Sequence, residues 1–122
     1  MMTSAAKLTP QLMFHGGFDD AVALWREAFP NLRVTPLGPG RVRMTIAGQD
    51  LFLFDSPVRH AFDFTPAVSL VVETTPPEVD RIAGVLGRDG EVLMPLDAYD
   101  FSPRFTWVND RFGVSWQIMA AA

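Results

Sequence analysis

AVSLVVETTPPEVDRIAGVLGRDGEVLMPLDAYDFSPRFTWVNDRFGVSWQIM runs from Ala67 to Met119 and reads as one strand, one helix and further strands. Ala67–Glu73 is apolar and β-branched, which suits a strand. Thr75-Pro76-Pro77-Glu78 is a helix start: Thr75 caps, Pro76 fits the first turn, and Glu78 can close a capping box. Val79, Ile82, Ala83 and Leu86 then form one helical stripe, and Gly87 or Gly90 stops it. Glu91–Leu93 reads as a brief strand and Pro95–Pro103 as a long loop. Arg104–Val108 and Val114–Met119 read as a closing hairpin, turning through Asn109–Gly113 with Gly113 able to take a positive φ. The order is β-α-β-β-β.

The same order precedes it. Leu8–Phe14 is a short apolar strand broken by His15-Gly16-Gly17. Asp19 and Asp20 fall in a first helical turn, where the helix dipole favours carboxylates. Phe18, Ala21, Trp25, Ala28 and Phe29 share a helical face, and Pro30 ends the segment. Strands are expected at Leu32–Pro36, Arg41–Ala47 and Leu51–Asp55, with a turn at Ala47-Gly48-Gln49-Asp50. Arg41–Ile46 alternates strictly, with Val42, Met44 and Ile46 on one side and Arg41, Arg43 and Thr45 on the other. Pro57–Pro66 links the halves. The expected fold is α+β, with two βαβββ modules at about 8–55 and 66–120 forming curved mixed sheets within one domain, 1–122.

Composition narrows the function. Hydrophobic residues make up 48% of the 122 and charged ones 20%, a globular balance. The net charge of -4 and the scattered Lys and Arg argue against a nucleic-acid partner. The absence of cysteine removes disulfides, thiolate catalysis and Cys-based metal sites. His15 and His60 are the only histidines. Met1–Pro10 has no apolar core of a signal peptide, and the apolar runs fall far short of the roughly 18 residues of a membrane span. A cytoplasmic protein without a membrane partner is the expectation.

The segments HAFDFTPAVSLVVE (His60–Glu73) and GEVLMPLDAYDFSPRFTWVNDRFGVSWQI (Gly90–Ile118) closely resemble the PhnB-like proteins of the vicinal-oxygen-chelate (glyoxalase/bleomycin-resistance/dioxygenase) superfamily. LTPQLMFHGGFDDAVALWREAFP in the first half agrees more loosely. The chain departs from the pattern in a short link from Pro36 to Gly40 and in Thr106, where relatives often have glycine. The resemblance implies paired modules around a β-lined cleft that holds a small organic molecule. Superfamily members that use a metal draw ligands from four inward strand positions. Three of these fall at Gln11, Ser69 and Gln117, and the fourth strand, Leu51–Phe54, is apolar with Asp55 only at its end. Neutral Gln and Ser hold a divalent cation poorly, so no metal or other cofactor is expected. They also read as plain polar linings of the cleft.

Alternation along Val114–Met119 puts Ser115, Gln117 and Met119 on one face and Val114, Trp116 and Ile118 on the other. Trp116 is therefore expected under a helix and Trp107 in the ligand cleft. Asp97, Tyr99 and Asp100 could rim the cleft or be solvated. His60 could form an acid/base pair with a neighbouring carboxylate such as Asp55, or could hydrogen-bond the linker backbone. His15 reads as a loop residue near a helix start. Three functional classes follow. The first is a metal-poor PhnB-like binding protein. The second is a metal-dependent lyase, isomerase or dioxygenase with a site that includes His60 and Asp55. The third is a bleomycin-resistance-like sequestering protein, for which the acidic balance would suit a cationic ligand. Relatives often carry a demethylubiquinone methyltransferase label. Such an enzyme normally needs a glycine-rich loop leading into a helix, and no helix follows Gly38-Pro39-Gly40. A homodimer is expected, because Met13, Val71 and Met119 would line an inner face that one module leaves uncovered.

Overall fold

The computed structural model describes residues 5–121. The first four residues, part of the segment read as lacking a signal peptide, lie outside the described residues. The first module runs β1 (Gln11–Phe14), α1 (Phe18–Ala28), β2 (Arg33–Gly38), β3 (Arg41–Ile46) and β4 (Gln49–Asp55). The second runs β5 (Ser69–Thr74), α2 (Pro76–Leu86), β6 (Glu91–Tyr99), β7 (Ser102–Asn109) and β8 (Ser115–Ala120). Each makes its own four-stranded sheet, ordered β1-β4-β3-β2 and β5-β8-β7-β6. In both, the first strand pairs parallel with the last, which its helix makes possible by crossing over the sheet. The α+β fold of two βαβββ modules is thus the one observed.

Several boundaries move for local reasons. β1 begins at Gln11 rather than Leu8 because Pro10 has no N–H to give a ladder, although its carbonyl accepts from the Phe52 N–H. The long loop expected at Pro95–Pro103 is instead most of a hairpin: β6 continues to Tyr99 and turns directly into β7. Register shifts between Val92 and Met94, Met94 and Asp97, and Asp97 and Tyr99 accommodate Pro95, which a regular ladder would exclude. Thr106 contributes by donating its hydroxyl to the Met94 carbonyl at 2.9 Å. The capping box also fails. Thr75 stands at the N-cap without a side-chain cap bond, and Glu78 turns instead to Arg81, 2.7 Å away.

One apolar cluster runs through both modules. Val42, Met44 and Ile46 of β3 and Leu51 and Leu53 of β4 are buried in the layer that α1 also enters through Leu24, Trp25 and Ala28. Ile118 and Ala120 of β8 share the second layer with Val79, Ile82 and Leu86 of α2. Trp116 is buried as alternation predicts, and its nearest aromatic neighbours come from the other module. Its ring centroid lies 5.6 Å from Trp25 and 5.7 Å from Phe29. Arg81 of α2 adds a polar tie, donating to the Ala28 carbonyl at the end of α1 at 2.8 Å. The modules therefore join through their helical layers, and the opposite face of each sheet is left open. Among the described residues, no helix is long and apolar enough to cross a membrane.

Candidate functional site

The open face of the second sheet brings together three of the four residues expected in the cleft. Register places Ser69 opposite Ser115, and Gln117 between Val71 and Trp107. Trp107 Nε1 donates to Ser115 Oγ at 2.8 Å, and the Ser115 and Ser69 hydroxyls lie 3.0 Å apart. Gln117 Nε2 reaches Ser69 Oγ at 3.5 Å, and Ser69 Oγ is 3.5 Å from the Pro66 carbonyl. A consistent proton order runs from the indole to Ser115, on to Ser69, and out to the linker carbonyl. Ser69 joins three partners in this network, and Ser115 links it to Trp107. Alternation put Ser115 on the face of Gln117, but it was not among the residues expected to line the cleft.

Gln11 approaches from the first module. With Met13 it lines a cleft of about 270 Å³ that also touches Phe62 and Phe64 of the linker, Leu70 and Ser115. The cleft thus has an apolar body with a few polar groups, the neutral Gln11, Thr65 and Ser115 and the carboxylate of Asp63, and Ser115 joins it to Trp107, Ser69 and Gln117, which stand outside its lining. A larger hollow of about 440 Å³ follows β5 and the β3–β4 turn, and Ser69 and Glu73 line it. Beside the network, Asn109 Oδ1 is buried with no hydrogen-bond partner among the described residues, while its Nδ2 is taken by Glu91. An orphaned buried acceptor of this kind calls for a donor from water or ligand.

His60 and Asp55 are not partnered with each other. Asp55 Oδ1 accepts from the Phe18 N–H at 3.3 Å, satisfying a donor at the start of α1. The His60 ring stacks on Phe62 with centroids 4.7 Å apart, and its Nε2 is 3.3 Å from Ser56 Oγ. Its backbone N–H donates to His15 Nε2 at 3.4 Å, so the two histidines meet across 45 residues. This meeting was not legible in the sequence, because neither neighbourhood carries a periodic signal. Asp97 and Tyr99 belong to β6, and the Tyr99 hydroxyl donates to the Pro95 carbonyl at 2.7 Å.

The superfamily metal fits these residues badly. Gln11, Ser69 and Gln117 are neutral. In the β4 register the open-face positions beside Gln11 and Met13 are Phe52 and Phe54. Among the described residues, no group of three or more His, Asp or Glu side chains is placed to hold an ion. Gly38-Pro39-Gly40 is the turn between β2 and β3, with no helix after it.

A doubled βαβββ unit with a β-lined cleft places the protein in the vicinal-oxygen-chelate superfamily. Residues 6–119 match the family described as 3-demethylubiquinone-9 3-methyltransferase, and the chain belongs to that family, in its PhnB-like branch. It is 37% identical to the PhnB protein of Bacillus cereus, to which a 3-demethylubiquinone-9 3-methyltransferase name is provisionally attached. That match has a TM-score of 0.86 and covers 95% of this chain and 100% of that one. Protein PA1353 from Pseudomonas aeruginosa shares the fold at 19% identity and TM-score 0.83, over 96% of this chain and 98% of that one. The fosfomycin resistance protein FosX from Listeria monocytogenes, in a structure complexed with Mn(II) and sulfate ion, shares the fold at 12% identity and TM-score 0.73. It covers 98% of this chain and 93% of its own. No curated protein matches.

Proposed function

We propose that this chain holds a small organic molecule in the cleft between Gln11 and Ser115, without a catalytic metal, as a cytoplasmic homodimer in which both modules act as one domain. The observation that carries the reading is the hydrogen-bonded set of Trp107, Ser115, Ser69 and Gln117 on one open sheet face. Such a set is oriented before any ligand arrives, so binding requires little reordering. The orphaned Asn109 Oδ1 beside it adds an acceptor. Neutral donors of this kind suit hydrogen bonding to an organic group and suit a divalent cation poorly.

The methyltransferase description of the family enters this reading as a name only, since the turn at Gly38-Pro39-Gly40 offers no cradle for a nucleoside donor. The metal-dependent lyase, isomerase or dioxygenase alternative has less support, because His60 and Asp55 are engaged with separate partners. The homodimer reading draws on the open faces, where Val71 stands 55% exposed beside Gln117, and on the edge strands β1, β2, β5 and β6, which pair on one side only among the described residues.

The deciding experiment is mass spectrometry of the purified protein, sprayed native and then denatured. A small molecule that leaves on denaturation, and that Trp107→Ala no longer retains, supports the reading. Equal retention by Trp107→Ala, with the fold intact, places the ligand elsewhere and rejects this cleft.

A further inference from the structure

Across the open face of the first sheet, Gln11 of β1, Phe52 of β4 and Arg43 of β3 stand in one row, and Met13, Phe54 and Arg41 form the next. Val42, Met44 and Ile46 are buried on the helix side, so alternation leaves Arg41, Arg43 and Thr45 on the open side. Both guanidiniums lie near one ring: Arg41 Cζ is 4.5 Å and Arg43 Cζ 5.6 Å from the Phe52 centroid. Arg33 on β2, opposite Thr45, adds a third cation to this face.

Among the described residues these arginines form no ion pair, and the one carboxylate that feels the charge of Arg43 is Asp50, opposite Thr45 on the same face. The ion pairs among the described residues join Lys7 to Asp50, Arg81 to Glu78, Arg88 to Glu27 and Arg104 to Asp80. Asp50, which follows the turn into β4, is already committed: the Thr45 hydroxyl, and after it Lys7, hold its carboxyl below the ordinary range. A chain of net charge -4 thus gathers three arginines outside any ion pair on one sheet face, two of them around an aromatic ring. Two like charges sharing a ring repel, and an anion placed between them relieves that repulsion. Guanidiniums stacked on an aromatic also keep their N–H edges free for a planar acceptor.

We infer that the ligand of the cleft is a planar organic anion of the aromatic carboxylate class. Arg41 and Arg43 take the carboxylate, its ring lies along Phe54 and Met13, and its far end points to Gln11. This rests on the cleft proposed above and names its ligand class. Arg43 to Gln11 spans two strand spacings, roughly 10 Å, the length of a single substituted ring with its hydrogen bonds. The acidic whole-chain balance pointed to a cationic ligand. Net charge describes the whole surface, however, and the pair of Arg41 and Arg43 at Phe52 is locally positive, although Asp63 also lines the cleft.

The test is calorimetric titration of the full chain with benzoate, benzyl alcohol, benzylamine and inorganic phosphate. The expected result is benzoate binding about tenfold tighter than the alcohol or the amine, the scale of one charge-assisted hydrogen bond. Arg41→Ala and Arg43→Ala should each remove that preference, and Arg43→Lys should keep part of it. No benzoate binding at millimolar concentration overturns the inference. So does equal or tighter binding of the amine, or a preference that survives both alanine variants. Phosphate binding as tightly as benzoate would show a nonspecific anion patch and overturn the planar class. Arginine variants that change the oligomer mass while benzoate binding stays intact would assign these cations to a second copy, which also overturns it. If benzoate fails while the copurified molecule still depends on Trp107, only this inference falls. If nothing depends on Trp107, the cleft reading falls with it.

Discussion

Trp25 on α1 and Trp116 on β8, from different modules, donate their indole N–H groups to one oxygen, Asp110 Oδ2, at 2.8 and 2.9 Å. The other oxygen of that carboxyl accepts from the backbone N–H groups of Phe112 and Val114 at 2.9 and 3.1 Å. Asp110 is 3% exposed, so these four donors replace water completely, and the β7–β8 turn is bonded to the first module's helix. Asp110→Asn would swap one accepting oxygen for an NH2 that faces donors. We expect it to cost about 2–4 kcal/mol, a buried network broken on one side. Urea unfolding checks this, and a midpoint within error of the parent would rule it out.

The two tryptophans of the closing hairpin should respond differently to truncation. Trp116→Ala should cost about 3–5 kcal/mol, because its ring is buried between Trp25 and Phe29. Trp107 is only half-buried, so Trp107→Ala should cost less and should chiefly weaken ligand retention. Equal losses of stability with no change in retention would mean the two faces are wrongly assigned.

Purified protein should carry less than about half an equivalent of divalent metal per chain, since Gln11, Ser69 and Gln117 offer no charge to a cation. Elemental analysis decides it. One tightly held manganese, iron, nickel or zinc per chain would show that the neutral set binds metal after all.

S-adenosylmethionine should not bind. The Gly38-Pro39-Gly40 turn joins two antiparallel strands and has no helix N-terminus behind it to meet such a donor. A micromolar constant by calorimetry would return the methyltransferase reading to the front.

Light scattering behind a sizing column should give twice 13.5 kDa at micromolar concentration. Among the described residues, each sheet leaves one face and two edge strands unpartnered, a state that association relieves. A monomer mass would count against a cleft shared between chains.

The elements were legible wherever the pattern was local and regular. Val79, Ile82 and Leu86 recur at helical spacing and are buried on α2, and Arg41–Ile46 alternates and is β3. β6 was missed beyond Leu93 because Pro95 and the register shifts hide its alternation. The capping box was a local pattern that lost to a competitor, the Arg81 guanidinium one turn on. In the candidate site, Gln11, Ser69 and Gln117 came from the resemblance and Trp107 from strand alternation. The bonds of Ser115 to Ser69 and Trp107, and the His15–His60 meeting, appeared only once strands and linker were in place.

By itself the sequence determined the order of strands and helices, the division into two like modules, and which side of each strand faces a helix. Those follow from backbone repeat, 3.6 residues per helical turn and two per strand step, acting on nearest neighbours. Only the tertiary structure decided that Asp110 joins Trp25 to Trp116, that Asp55 caps α1 instead of meeting His60, and that Arg41 and Arg43 share Phe52. The Asp110 and Asp55 contacts bridge residues 85 and 37 apart in sequence. The shared ring depends on the register in which β3 meets β4. Side-chain chemistry permits each of these partnerships, but only packing of the whole chain selects them.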